Sequence, residues 1–279
     1  ALGCACGYLL GGRYPMEWAP VDAGEHSGVE ESKARLLALG VPDYVLNDLT
    51  AEDLAACDGA ILVVVDVDDY PVNSGRRVSH SYWIGGERHT NIHTVYDVKE
   101  LRITGVGVEL PGERWMLIQH FLWTPPPGFC GTESIQLWPA YRAGMEGWRS
   151  GGALTGRVLY DEGGQTYAAP YCFLGEQTFA YDSLFWGKQI RDDLFAAFSL
   201  PRDGENCRGY VAYPIERVRD GYIVDGWFNY THQQSWMQYP VMTAMENQMT
   251  NGWNWEGVFY EVSTALQFYQ NEEGVRLLG

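Results

Sequence analysis

The sequence predicts a mainly β protein: a β-sandwich or jelly-roll-like body preceded by a small N-terminal helical segment. From residue 60 onward, apolar residues occur in continuous or alternating runs, which are typical of strands. Turns rich in Gly and Pro separate about ten such runs at short spacing, as in antiparallel sandwiches. Before residue 60, apolar residues instead follow helical spacing and lie between capping residues.

The chain opens with twelve uncharged, mostly apolar residues. Gly3, Gly7 and Gly11 recur every fourth residue, a pattern that lets membrane helices approach closely. One interpretation is that this segment is the end of a signal peptide or signal anchor. The first part of that segment, including a membrane anchor, would then lie upstream of residue 1. The first four residues also weakly resemble a bacterial lipobox. The other interpretation is a buried N-terminal segment of a soluble domain.

Residues 1–59 form the apolar N-terminal edge, a linker over 13–28 and a small helical leader. Three short helices are predicted over residues 30–39, from Pro42 through Leu49, and from Thr50 to Asp58. Gly40 suits the C-cap of the first helix, because glycine readily adopts the left-handed conformation there. Thr50 and Asp53 have the spacing of a capping box that opens the third helix.

Residues 60–143 form a first β region. The run Ala60–Val65 predicts a strand buried on both faces. Val98–Leu110 predicts a strand whose alternation slips at Gly105, which we interpret as a β-bulge. Trp115–Trp123 is apolar on both faces and predicts a central strand, which three consecutive prolines end.

Residues 144–279 form a second β region, or part of one sandwich with 60–143. One hairpin is predicted, whose two strands flank the Asp161–Gly164 turn. Val258–Phe268 alternates and predicts a final strand. Further strands are predicted over 193–200, 209–215 and 222–230. One helix is predicted near 240–250, where Met, Ala, Glu and Gln are frequent.

The formal net charge is −17, from 36 acidic and 19 basic residues. Such a surface repels phosphate backbones and anionic lipids, so we expect no nucleic-acid partner. The sequence contains no run of 18 apolar residues, so no complete transmembrane helix is predicted within it.

The six cysteines give a second indication of compartment. Cys57 lies on a helical apolar stripe and is predicted to be a buried free thiol. Cys130, Cys172 and Cys207 lie in loops or beside a Pro-Tyr step and are the better disulfide candidates. Together with the N-terminal segment, they predict an extracellular or cell-surface protein; an intracellular protein with reduced thiols is the alternative.

Two groups of side chains have metal-ligating chemistry: His80, His89 and His93, and Asp66, Asp68 and Asp69. The imidazoles suit zinc or copper, and the carboxylates suit calcium. However, two glycines beside the histidines indicate a loop, and the aspartates lack the EF-hand glycine and glutamate. We therefore expect hydrogen-bonded histidines, a solvated strand end, and no metal or other cofactor.

Common catalytic motifs are missing from the sequence, including a nucleophile elbow, a phosphate-binding loop and a zinc-protease helix. Glycoside hydrolysis needs two carboxyl groups that face each other across a cleft. Six acidic residues lie in or beside predicted strands: Glu109, Glu113, Glu133, Asp161, Glu176 and Glu256. The sequence selects no pair among them, so it assigns no catalytic residue.

Aromatic residues are unusually frequent near the C-terminus. The predicted ligand-binding residues are Trp227, Tyr230, Trp236, Trp253 and Trp255. Asn and Gln lie between them, and flat apolar rings beside amides suit a sugar ring or a partner protein. The alternative is a corner of the core that methionines fill.

These observations favour an exported or surface-displayed binding or scaffold protein that does not catalyse a reaction, with a glycan or a protein as ligand. The alternative from another class is a glycan-active hydrolase of the β-sandwich type that uses a carboxylate pair. The sequence leaves the oligomeric state open.

Overall fold

The computed structural model describes residues 13–70, 79–89, 101–139, 148–150, 152–183, 187–217, 223–233, 260–271 and 274–277. The helices are α1 (Glu30–Ala38), α2 (Asp43–Leu46) and α3 (Ala51–Ala56). The strands are β1 (Ala19–Pro20), β2 (Leu62–Tyr70), β3 (Ser79–Ile84), β4 (Glu87–His89), β5 (Leu101–Leu110), β6 (Arg114–Trp123), β7 (Glu133–Pro139), β8 (Trp148–Ser150), β9 (Thr155–Glu162), β10 (Gln165–Pro170), β11 (Cys172–Ser183), β12 (Gly187–Phe198), β13 (Glu205–Arg217), β14 (Ile223–His232), β15 (Tyr260–Asn271) and β16 (Gly274–Leu277).

These strands form two antiparallel sheets. Sheet A has the order β1-β10-β9-β13-β6-β5-β2-β3-β4, and β8 also pairs with β13. Sheet B has the order β11-β12-β7-β14-β15-β16. Strands from both predicted β regions enter each sheet, because β7 of the first region lies in sheet B beside β14. The predicted mainly β fold with a small helical segment is confirmed.

The inner faces of the two sheets share one hydrophobic core. Trp115 of sheet A packs on Phe268 of sheet B with 4.4 Å between ring centroids, and Phe121 packs on Tyr230 at 4.9 Å. The indole Nε1 of Trp123 donates a hydrogen bond of 3.0 Å to the Tyr230 hydroxyl. The two sheets therefore form a sandwich whose interior is largely aromatic.

The helical leader covers the outer face of sheet A with a second, aliphatic core. Leu36, Leu46 and Leu54 of the three helices are buried there, with Val65 of β2 and Val106 of β5. Strands β2, β5 and β6 are consequently buried on both faces, as the apolar runs predicted for β2 and β6 but not for β5. Among the described helices, none has the length and apolarity needed to cross a membrane.

The predicted roles of Thr50 and Gly40 at helix ends are observed, but α2 ends at Leu46 and not at Leu49, and α3 ends at Ala56 and not at Asp58. The Thr50 hydroxyl accepts a hydrogen bond of 3.1 Å from the Asp53 amide, as a capping residue does. Gly40 follows α1 with a φ of +105°, and a Cβ there would lie 2.9 Å from the Gly86 Cα. Both the backbone conformation and the close approach require glycine at this position.

The predicted bulge at Gly105 is wrong. Strand β5 pairs without interruption, with Gly105 opposite Asp66 on one side and Gln119 on the other. Alternation is lost here because both faces of β5 are buried, so apolar residues occur at consecutive positions. Gly105 instead allows sheet B to approach closely, since a Cβ there would lie 3.3 Å from the Cβ of Leu266.

Other predicted boundaries need correction. The first strand begins at Leu62 and continues to Tyr70, so the aspartates at 66, 68 and 69 lie within it. Strand β7 (Glu133–Pro139) was not predicted, although Ile135 and Leu137 alternate with Ser134 and Gln136 as in a strand. The predicted helix near 240–250 lies outside the described residues, as does the start of the predicted strand at 258.

Replacing Phe121 by Ala should lower the free energy of unfolding by about 3–5 kcal/mol, because the ring is fully buried among aromatic neighbours. Denaturant titration followed by circular dichroism measures the change. Phe173, which is 43% exposed, is the matched control, and Phe173→Ala should cost much less. Equal losses in the two variants would contradict the position of Phe121 in the core.

Candidate functional site

The predicted aromatic surface is only partly located by the structure. Trp227 and Tyr230 both lie on β14, but they are three residues apart and so point to opposite faces of the sheet. Tyr230 faces the interior and has 0% exposure, so its ring belongs to the core. Trp227 is half-buried on the outer face. Trp236, Trp253 and Trp255 lie outside the described residues, and the recognition surface stays a prediction.

The outer face of sheet B has amides beside Trp227. Trp227 pairs with Trp138 of β7 in the strand register, and Asn229 pairs with Gln136 two residues further along. Because side chains alternate along a strand, Asn229 and Gln136 share the outer face with Trp227. An indole and two amides therefore share the outer face of sheet B, although Gln136 was not among the predicted residues.

A second polar pair extends this surface. Ser134 of β7 lies opposite Thr231 of β14, and both share the outer face with the amides. All four polar residues have low exposure: Ser134, Gln136, Asn229 and Thr231. The outer face of sheet A, in contrast, is aliphatic under the helices. The centre of sheet B therefore has an outer surface of different chemistry.

A buried carboxylate and imidazole lie between the sheets at one end of the sandwich. The Nδ1 atom of His232 lies 2.8 and 3.0 Å from the two carboxylate oxygens of Glu133. Burial raises the pKa of the neighbouring Tyr230 well above its usual value, and the negative charge of Glu133 raises it further. Glu133 is therefore held within the core rather than presented to a ligand.

Asp48 is the centre of a second buried polar cluster. One carboxylate oxygen lies 2.8 Å from Nε2 of His120, and the other accepts a hydrogen bond of 2.7 Å from Nε of Arg208. Nε of Arg157 donates to the Asp48 carbonyl at 2.9 Å. Since Asp48 follows α2 and the other three residues lie in β6, β13 and β9, the cluster attaches the leader to sheet A.

Arg208 also connects this cluster to Asp161, with a contact of 3.1 Å. Burial acts to raise the pKa of Asp161, but hydrogen bonds from Asn206 and Thr166 and the charge of Arg208 outweigh it. The pKa of Asp161 is consequently lowered. This carboxylate stays ionised and structural at neutral pH.

Asp53 of α3 provides another attachment of the leader. The Tyr210 hydroxyl donates a short hydrogen bond to its carboxylate, and Oγ1 of Thr155 donates at 2.6 Å. The Thr50 amide in turn donates to the Tyr210 hydroxyl at 3.0 Å. Burial raises the pKa of Tyr210, and the Asp53 charge adds to the increase. The tyrosine is therefore a neutral hydrogen-bond donor.

The expectation of a solvated strand end at Asp66–Asp69 is wrong. Asp68 is 1% exposed and accepts a hydrogen bond of 3.3 Å from the Tyr70 hydroxyl. Asp69 accepts two hydrogen bonds, of 2.8 and 3.2 Å, from Arg102. The carboxylates are buried because β2 continues past them between β3 and β5, and their alternation along the strand separates Asp68 from Asp69.

The predicted histidine group is only partly described. In the strand register His80 lies opposite Asp68, and His89 lies opposite Tyr82. His93 lies outside the described residues. Among the residues that the structure describes, no three His, Cys, Asp or Glu side chains are close enough to hold a metal ion.

The described acidic residues considered for hydrolysis have different structural partners. Glu109 accepts a hydrogen bond of 2.8 Å from Gln270, and Glu113 lies in the β5–β6 turn with a φ of +58°. Glu133 and Asp161 contact His232 and Arg208, as described above. Glu176 lies in β11, where only its backbone is described, and Glu256 lies outside the described residues.

The cysteines differ in state. Cys172 is disulfide-bonded, as predicted. Cys57 is a buried free thiol, as predicted. Cys130 and Cys207 are also free, which corrects the expectation that they are disulfide-bonded. Each of these two thiols donates a weak hydrogen bond of 3.6 Å to a backbone carbonyl.

No protein-family model matches the sequence, and no curated protein matches it significantly. The functional interpretation therefore depends on the chemistry of the described residues.

Sequence reasoning missed the Asp48 cluster. Its members are far apart in the chain, with 72 residues between Asp48 and His120 and 160 between Asp48 and Arg208. One signal was available, since His120 and the adjacent Gln119 are polar residues inside a mostly apolar central strand. Such a residue needs a buried partner, but the sequence does not identify it.

Replacing Asp48 by Asn should lower the free energy of unfolding by about 3–5 kcal/mol, because the buried Arg208 and His120 lose their anionic partner while the side-chain shape is kept. Urea titration at neutral pH measures the loss. The exposed Glu17 gives the matched control, and Glu17→Gln should change stability little. A loss for Asp48→Asn as small as that of the control would contradict the anchoring role.

The lowered pKa of Asp161 predicts the pH dependence of its contribution. A carboxyl group with a depressed folded-state pKa stabilises the fold fully above its unfolded value, here 3.8, and this stabilisation is lost as the pH falls through the folded-state pKa. The difference in unfolding free energy between the wild type and Asp161→Asn should therefore shrink on acidification. Parallel urea titrations over this acidic range measure it, and a pH-independent difference would reject the assignment.

Proposed function

We propose that this protein is an exported or surface-displayed binding protein without catalytic activity, which recognises a glycan through the outer face of sheet B around Trp227. The observation that carries the proposal is the half-buried Trp227 beside the amides of Asn229 and Gln136. This face lies opposite the sandwich core, on the sheet that the helical leader does not cover.

The chemistry of this face suits a sugar. An indole ring can stack against the apolar face of a pyranose, and neighbouring amides can both donate to and accept from hydroxyl groups. The net charge of −17 disfavours anionic ligands by like-charge repulsion. Neutral glycans are therefore the favoured ligand class.

The disulfide of Cys172 supports the proposed location outside the cytoplasm. Disulfides persist in oxidising compartments and are rare where cellular thiols keep cysteines reduced. The state of this cysteine agrees with the compartment that the N-terminal segment predicts.

Binding is favoured over hydrolysis by the contacts of the described acids. Glu133 of sheet B is buried against His232. Asp161 lies in sheet A, where it contacts Arg208. A glycosidase would require two carboxyl groups converging on one cleft.

Replacing Trp227 by Ala should weaken binding to neutral oligosaccharides at least about tenfold, because a stacking aromatic residue supplies much of the affinity in such sites. An array of immobilised neutral oligosaccharides, followed by titration calorimetry on those that bind, provides the measurement. Near-ultraviolet circular dichroism should confirm that the variant is folded.

The matched control is Trp18→Ala. Trp18 is also half-buried, but it packs against Tyr160 in sheet A with ring centroids 4.8 Å apart. Binding should be unchanged in this variant. Equal affinities of the wild type and Trp227→Ala, or no neutral glycan bound by the wild type, would reject the proposed ligand site.

A further inference from the structure

We propose that the disulfide partner of Cys172 is Cys4 or Cys6, and that this bond keeps the N-terminal segment, residues 1–12, on the sandwich as part of the mature protein. The inference concerns the covalent structure of the chain and does not depend on which ligand sheet B binds.

The states of the described cysteines restrict the partner of Cys172 to two residues. Cys172 is disulfide-bonded, and the other three described cysteines are free thiols. The chain has six cysteines, so the two that remain are Cys4 and Cys6. Because the structure contains a single chain, one of these two residues must supply the second sulfur atom.

The first described residues lie beside the end of β12. Nη2 of Arg13 donates a hydrogen bond of 2.5 Å to the Leu200 carbonyl. The backbone amide of Tyr14 donates a hydrogen bond of 2.5 Å to Oγ of Ser199. Tyr14 is buried in this contact, and both acceptors directly follow the last residue of β12. The residues that follow the N-terminal segment are therefore fixed on sheet B.

Cys172 lies at the same end of β12. It is the first residue of β11 and pairs with Ala197 of β12 in the strand register. The preceding residue, Tyr171, packs its ring against Phe198 with 5.2 Å between ring centroids. Ser199 is two residues beyond Ala197, so the Cα atoms of Cys172 and Ser199 are about 10 Å apart.

The chain between the cysteines and Arg13 is long enough to close the bond. Cys6 is seven positions before Arg13 in the sequence. An extended chain of that length spans up to about 23 Å, and a disulfide joins Cα atoms about 5–6 Å apart. Cys4 has two further residues of reach. Either residue can consequently bond to Cys172 while Arg13 and Tyr14 keep their contacts.

The bond decides between the two interpretations of the N-terminal segment. The end of a signal peptide is removed during export, whereas a disulfide to Cys172 requires that the segment be retained. The bond also fastens this part of the chain to both sheets, because Ala19 and Pro20 pair with β10 in sheet A and Cys172 lies in sheet B. The apolar segment is then a part of the folded domain.

Formation of the bond requires an oxidant, which a small-molecule or protein disulfide of an oxidising compartment supplies by exchange. The thiolate of one cysteine attacks the oxidant disulfide and releases one of its two sulfur atoms as a thiol. The thiolate of the second cysteine then attacks this mixed disulfide and releases the other as a thiol. The two cysteines lose two protons and two electrons in total, and the oxidant gains them.

The test is a peptide map of the full chain, exported by its expression host, purified without reductant, alkylated under denaturing conditions and digested with trypsin. We expect the peptide that ends at Arg13 to be joined to the peptide 158–188, which contains Cys172. The joined pair should be two hydrogen masses lighter than the two separate peptides, and fragmentation identifies whether Cys4 or Cys6 carries the bond. The other three described cysteines should be alkylated.

Three results of the peptide map would overturn the inference. The first is alkylation of Cys172 before any reductant is added. The second is a cross-link from Cys172 to a described cysteine or to the Cys172 of a second copy. The third is a mature protein that lacks the peptide ending at Arg13.

Thermal unfolding with and without dithiothreitol gives a second, independent measurement. Reduction should lower the unfolding midpoint of the wild type by at least about 5 °C, because the bond closes a long loop of the chain. Dithiothreitol should leave the midpoint of Cys172→Ser unchanged. The matched control is Cys130→Ser, which removes a free thiol and should keep the full effect of the reductant. A reductant effect of wild-type size in Cys172→Ser would contradict the assignment.

Discussion

Burial of sheet A on both faces is the constraint on which the rest of this structure depends. Its central strands contact the aromatic core of the sandwich on one side and the aliphatic core under the helical leader on the other. Any polar group carried into these layers must find a partner there, because an unpaired buried charge is strongly unfavourable. Asp48 and Asp53 satisfy this requirement by bonding to Arg208, His120 and Tyr210 across the helix–sheet interface.

Sheet B is under a different constraint. Its inner face is fixed by packing on sheet A, where Phe228 and Tyr230 lie in the core. The described centre of its outer face has serine, threonine and amide side chains of low exposure, where sheet A has valines and leucines under the helices. Sheet A therefore contributes to both hydrophobic cores, and sheet B has the outer face that we propose for recognition.

Much of the fold could be predicted because its signals are local. The central strand from 115 to 123 follows from an apolar run and the prolines that end it, and the third helix follows from Thr50 and its capping partner. The errors occurred where burial on two faces removes alternation, at Gly105, and where a strand continues through carboxylates, at Asp68. Of the predicted site residues, Trp227 lies on the outer face of sheet B and Tyr230 on the inner face, since residues three apart in a strand cannot share one face.

The sequence by itself determined the three helices, the central strand β6, the caps at Thr50 and Gly40, the buried state of Cys57 and the acidic net charge, because each depends on residues close together in the chain or on composition alone. Only the tertiary structure decided which faces of sheet A are covered, which residues bond to Asp48, and which cysteines are free. These contacts join strands from distant parts of the chain. Their specificity comes from sheet pairing and burial, which no local pattern encodes.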